Sequence, residues 1–289
     1  QESWVIVSKE EDRIKRRIEE IGTPLKKWDV SINYGIKTGF NEAFIIDGKK
    51  RAELIKADSK NENIIKPLLR DRDIKKYKAE WANLWLITTH NGYKNVPAVS
   101  IVNYPFIKKH LDNYWQELEK RYDKGSTPYH LRNCAYLTEF AKEKIMWQEM
   151  VQESSFIYDK SHHYYCLDTG RILTGKNLKF LIAILNSNLF FFSVKRFYGG
   201  GGLGSEGVRM KHTFFEHFAI PKIAYESQLP FEMMVDCILF AKEHGFEAAS
   251  PIFESVIDGM VYDLYFEQEM KQANCYITER IKEKVKSFT

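Results

Sequence analysis

The stretch Gly175–Phe197, GKNLKFLIAILNSNLFFFSVKRF, constrains the fold more than any other. It reads as a single, strongly apolar helix. A helix that is apolar nearly all round cannot lie on a surface and has to be covered from several sides. The rest of the chain must therefore supply packing layers around it. At 289 residues there is enough chain for one large domain, or for a domain with an appendage.

Directly after this helix comes FYGGGGLGSEGVRMKH, Phe197–His212. It holds two overlapping G-x-G-x-x-G matches, Gly199-Gly201-Gly204 and Gly202-Gly204-Gly207. A dinucleotide loop needs a strand before the glycines and a helix opening at their end. Here a helix pattern precedes them, and Val208-Arg209-Met210-Lys211-His212 carries no helix-start signal. A phosphate-binding P-loop needs Lys followed by Ser or Thr after its last glycine, and Gly204 is followed by Ser205-Glu206. The run reads as a surface loop flanked by Lys195, Arg196, Arg209 and Lys211, not as a cofactor cradle.

Elsewhere the pattern alternates between strands and helices. Ser8 and Glu11 form a capping-box pair for a linker helix near residues 9–21, which ends at Gly22-Thr23-Pro24. Alternation from Val30 to Tyr34 and through GIKTGFNEAFIIDG predicts strand, glycine turn, strand; Asn83–Tyr93 predicts another strand. YPFIKKHLDNYWQELEKRY predicts an amphipathic helix. EKIMWQEM, SSFIYDK and HHYYCLDT predict half-buried strands. Beyond Pro221, Leu229–His244 predicts a helix closed by Gly245, and Ser250-Pro251 opens another with Ser250 as N-cap. Residues 226–289 thus form a C-terminal helical hairpin or bundle, set apart from a body spanning residues 1–225.

The net charge of +4 hides an asymmetry. Residues 226–289 sum to −6 and residues 1–225 to +10, with Lys49–Lys78 alone at +6. A basic body with an acidic tail suits a polyanion on one part only. Cys134, Cys166, Cys237 and Cys275 make no C-x-x-C pair, which suits reduced thiols in a cytoplasm. No signal peptide or membrane-spanning apolar run is legible, so no membrane partner is expected. The chain opens on Gln1 and reads as a piece of a longer polypeptide.

Motifs for chemistry are missing. The eight prolines include no adjacent pair, so the Asn-Pro-Pro-aromatic motif of amino-methyltransferases is absent. No proline precedes an acidic residue, which removes the Pro-Asp of metal-dependent nucleases. His162-His163 suggests no third metal ligand by spacing. No catalytic, cofactor-binding or metal-ligating residue is assigned. Two alternatives stay open: a nuclease fragment with a degenerate metal site around Asp58, Asp73 and Lys75, and a protein-interaction domain whose acidic tail docks a partner.

Three blocks combine basic, amide and aromatic residues in turn contexts: NYGIKTGFNEAFIID (Asn33–Asp47), IIKPLLRDRDIKKY (Ile64–Tyr77) and RYDKGSTPYHLRNCAY (Arg121–Tyr136). Arg and Lys neutralise phosphates, and Arg and Asn can read purine edges. Within RDRD, Arg70 and Arg72 either meet phosphate or pair with Asp71 and Asp73. These blocks, with WLITTHNGY, YPFIKKHL, EKIMWQEM and LKFLIAILNSNL in this order, resemble the C-terminal specificity region of type IIG restriction–modification enzymes of the Eco57I kind, related to the TaqI-like specificity domain of adenine-N6 DNA methyltransferases. The resemblance runs from Trp4 to about Tyr225, and more loosely over the helical tail. It implies an α+β fold, with a β-rich DNA-recognition module followed by helices. It also implies double-stranded DNA as partner and an upstream methyltransferase domain in the same polypeptide, with or without a nuclease domain before it. S-adenosylmethionine and Mg2+ would then belong to those domains and not to this chain. The DNA-contacting candidates are Lys37, Asn41, Arg70, Arg72, His90, Asn91, Arg121, Lys124, Thr127, Arg132, Lys195, Arg196, Arg209 and Lys211, with base readers expected in segment 148–175.

Overall fold

The structure, a computed structural model, describes residues 8–160, 164–199 and 207–286. His162-His163 and the glycines from 200 to 204 lie outside them. Two four-stranded sheets form the body. The first runs Phe156–Asp159, Lys144–Gln148, Gly170–Gly175, Val30–Tyr34, all antiparallel. The second runs Tyr165–Cys166, Ile65–Leu69, Leu84–Ile87, Ile45–Asp47, with its first pair parallel. The α+β class implied by the resemblance is the class observed.

Three strands of the first sheet, Phe156–Asp159, Lys144–Gln148 and Gly170–Gly175, are covered on both faces, which corrects the half-buried strands expected from alternation; the edge strand Val30–Tyr34 keeps Ser31 and Tyr34 exposed. Ile145, Trp147, Phe156 and Leu173 enter one core with the helices, while Met146, Ile157 and Ile172 enter a second core shared with the other sheet. Strands covered on both faces lose their polar alternation. A charged pair inside the sheet is neutralised: Lys144 and Asp159 face each other across neighbouring strands at 2.5 Å with no side-chain exposure. Lys144 also donates to the Phe140 carbonyl, and Asp159 accepts from the Tyr164 amide at 2.7 Å.

The apolar run is not one helix. It divides into Leu178–Leu185 and Asn188–Arg196, bent by 62°. Ser187 accepts from the Phe190 amide and so starts the second helix. Asn186 exchanges two 2.9 Å hydrogen bonds with the Phe156 backbone, which ties the bend to the sheet edge. No single described helix is long and apolar enough to cross a membrane.

The tail completes the same core. Helices Tyr225–Glu243 and Ser250–Tyr265 contribute Phe231, Val235, Ile238, Met260 and Tyr265 to the cluster that holds Leu181 and Phe190. Two of its carboxylates face lysines of the body: Glu254 lies 3.0 Å from Lys76, and Asp236 lies 2.7 Å from Lys179. The expected cap at Ser250 falls one residue earlier, on Ala249. The Ser8–Glu11 capping box forms as read, on helix Lys9–Ile21.

The two sheets are joined where the chain passes Tyr34-Gly35-Ile36. Gly35 donates to the Gly170 carbonyl at 3.0 Å and Ile36 to the Cys166 carbonyl at 2.7 Å. A Cβ at Gly35 would sit 1.9 Å from the Leu167 carbonyl oxygen, so no larger residue fits without moving backbone. Gly35→Ala is expected to cost about 3 kcal/mol of folding stability by overpacking this crossing, read as the change in urea midpoint at constant slope; an unchanged midpoint would show that the crossing can relax.

Candidate functional site

The crossing places one end of the first sheet at the surface. Tyr34 and Arg171 are cross-strand partners, and the Arg171 guanidinium lies 4.0 Å from the centre of the Tyr34 ring. Arg171 is only 4% exposed, whereas Tyr34 is 46% exposed. The guanidinium is fixed by the carbonyls of Asp168 (2.6 Å) and Gly170 (2.8 Å) and by the Glu149 carboxylate (2.9 Å). Held by three acceptors through its two terminal nitrogens, this buried charged group is a rigid element.

Glu149 sits among three cations. Besides Arg171 it has Arg209 at 3.7 Å and Lys211 at 3.6 Å. Strand Val208–Arg209 pairs with Met150–Val151, and the Met210 amide donates to the Glu149 carbonyl at 2.6 Å, which holds the cations in place. The His212 ring meets the edge of Tyr34 at 5.5 Å. Burial, and then the Arg171 charge, holds the His212 imidazole below its usual range, so it is neutral near pH 7. Three cations surround Glu149, and the Asp71 and Asp168 carboxylates lie close enough to act on the same charges.

Hollows lie to either side. One, of about 400 Å³, includes Lys37, Arg132, Asn133 and Tyr34 in its lining. Asp123 pairs with both Lys37 (2.7 Å) and Arg132 (3.0 Å). The Lys37 hydrogen bond is the main reason the Asp123 carboxyl lies below its usual range. The other hollow, of about 510 Å³, is lined by Arg72, Lys75, Gln148 and Met150 among others. Asp71 is hydrogen-bonded to Thr169, and burial pushes its carboxyl up.

Of the candidate residues, this end of the body brings together Lys37, Arg72, Arg132, Arg209 and Lys211. Arg121 is placed otherwise. Its guanidinium is buried over the Phe44 ring and donates to the carbonyls of Thr38, Pro128 and His130. Burial lowers its pKa to about 10, which still leaves it charged at neutral pH. Arg121 therefore serves the scaffold instead of facing outward. Arg70 is likewise held, by two bonds to Asp73 at 3.0 and 2.7 Å. The RDRD segment thus pairs its first and last residues, leaving Arg72 on the hollow.

Asn91 accepts from the Ser126 amide (2.8 Å), Thr127 lies 3.1 Å from His130 Nδ1, and His90 accepts from the Gly92 amide (3.2 Å). Together they shape the turn that carries Arg132. Asn41 accepts from the Thr38 hydroxyl at 2.5 Å. Lys124 is exposed and donates to the Glu119 carbonyl. Arg196 pairs with Glu11 at 2.6 Å on the N-terminal helix, with Lys195 half-buried beside it.

Tyr34, Glu149, Asp168, Arg171 and His212 were missed as individual residues. Segment 148–175 contains three of them, and the first block contains Tyr34. The nuclease alternative finds no support in its residues. Asp58 caps a turn through the Lys60 amide, Asp73 is held by Arg70, and no group of three or more His, Cys, Asp or Glu among the described residues could hold a metal ion.

Arg121→Met should cost about 3 kcal/mol, since three carbonyls lose their charged donor. Arg132→Met, with a side chain 55% exposed, should move the thermal midpoint by no more than about 2 °C. Paired thermal melts check this; equal losses would place the two arginines in one role.

Residues 66–201 match the model of the TaqI-like C-terminal specificity domain. No match was found among curated protein sequences. Among solved structures, the type IIL restriction–modification enzyme MmeI in complex with DNA is similar over 92% of this chain and 36% of its own, with a TM-score of 0.62 and 12% identity. The type IIG restriction endonuclease BpuSI is similar over 90% of this chain and 34% of its own, with a TM-score of 0.50 and 15% identity. This chain thus spans about a third of either enzyme, and its residues 66–201 are matched as a TaqI-like C-terminal specificity domain.

Proposed function

We propose that this chain is a target recognition domain that binds duplex DNA sequence-specifically and presents an adenine to an adenine-N6 methyltransferase domain of the same polypeptide. One observation carries the reading: Arg171, Arg209 and Lys211 gathered around Glu149, beside an exposed Tyr34, on a rigid sheet end. Phosphate contacts position a duplex, and a few side chains specify it. Arginine can bond guanine O6 and N7, while a carboxylate can accept from the cytosine amino group. Glu149 and its cations supply both kinds of group within one site. MmeI, the relative solved with DNA, supports the same reading.

S-adenosylmethionine and Mg2+ would act in upstream domains, including a nuclease if the parent carries one. A cytoplasmic location follows from a DNA substrate. In the acidic tail, Glu254 is turned to Lys76 and to the tail's own Lys242, and Asp236 to Lys179; the tail serves as packing, away from phosphate.

Duplex titrations at several salt concentrations test this. Each phosphate neutralised contributes roughly −0.9 to the slope of log K against log salt, so Lys211→Ala and Lys37→Ala should each flatten it by about one unit. Arg70→Ala should lower the thermal midpoint and leave the slope unchanged, because its guanidinium is taken up by Asp73. A flattened slope for Arg70→Ala with none for Lys211→Ala would put the DNA on another face.

A further inference from the structure

The hollow between Lys37 and Tyr34 has a second property. It holds about 400 Å³, within the range of small-molecule sites. Its inner wall includes Cys134 and Tyr136. Burial pushes the Cys134 thiol up to about 11 and the Tyr136 hydroxyl up to about 12, so both stay neutral at pH 7. Tyr34 stands at the wall with one face covered by Arg171 and nearly half of its surface open. Asn133 offers an amide that can both donate and accept. Lys37 and Arg132 lie at the mouth, oriented by Asp123 and still 43% and 55% exposed.

A nucleotide-sized recess with an aromatic wall, an amide, the Asp168 residue in its lining and two cations at its opening fits one chemistry. We infer that the hollow receives a single unpaired nucleobase of the bound DNA, stacked on Tyr34 and edged by Asn133, with its phosphate on Lys37 and Arg132. The inference rests on the DNA reading above. An enzyme that modifies a base extrudes it from the duplex, and that leaves an unpaired nucleotide for which a neighbouring recess is a natural receptor.

The test compares a fully paired duplex with the same duplex carrying one bulged thymidine, titrated against the 289-residue chain. Stacking of one base makes the bulged duplex bind about tenfold more tightly. Tyr34→Ala and Asn133→Ala bring the ratio of the two affinities close to one, and Tyr34→Phe keeps it. Free thymidine monophosphate, added as competitor, reduces the preference if the recess also takes a nucleotide from solution; an unaffected preference means that only the DNA-tethered base fills it. Paired binding with no bulge preference, or a preference that survives Tyr34→Ala, overturns the recess alone. Absence of binding to either duplex overturns the DNA reading and the recess with it.

Discussion

Everything at the functional end depends on two chain segments crossing in contact. Tyr34-Gly35-Ile36 leaves the first sheet for the second, while Leu167–Gly170 returns from the second to the first. They touch because Gly35 has no side chain at a point where a Cβ would lie 1.9 Å from the Leu167 carbonyl oxygen. That contact sets Arg171 opposite Tyr34 and turns the Asp168 carbonyl toward the guanidinium. A splayed crossing would lose the stacked pair, and with it the fixed position of Glu149.

Rigidity behind the crossing comes from double burial. The first sheet packs helices on one face and the second sheet on the other, so neither face can slide without opening a core. Lys144 and Asp159 reinforce this. A charged pair that is fully buried resists separation, because either partner alone would be left uncompensated in a dry interior. The acidic tail adds to the same scaffold through the core it completes and the lysines it neutralises.

Local features were legible in the sequence and distant pairings were not. The Ser8–Glu11 box could be read because its groups lie three residues apart. The tail helices could be read from their periodicity, and the lysines and arginines near the site from the basic blocks. The bend at Asn186-Ser187 was hidden, because a polar pair within an apolar run looks like a tolerated interruption until Phe156 is seen bonded to Asn186. The first sheet's strands looked half-buried because the second core, which covers their other face, comes from residues far away in the chain. Arg121 looked like a surface cation in a glycine-containing turn, and only the fold shows three carbonyls converging on it. Glu149 lies 22 residues from Arg171, and no spacing rule connects them; cross-strand register does.

In the proposed function, the sheet end carrying Tyr34, Glu149, Arg171, Arg209 and Lys211 is the face that meets DNA. Amide hydrogen exchange with and without a bound duplex measures this directly. Slowed exchange at residues 33–37, 148–151, 168–171 and 207–212, with helices Tyr225–Glu243 and Ser250–Tyr265 unchanged, is the expected result. Protection confined to those two helices, with the sheet end exchanging at its free rate, would contradict it.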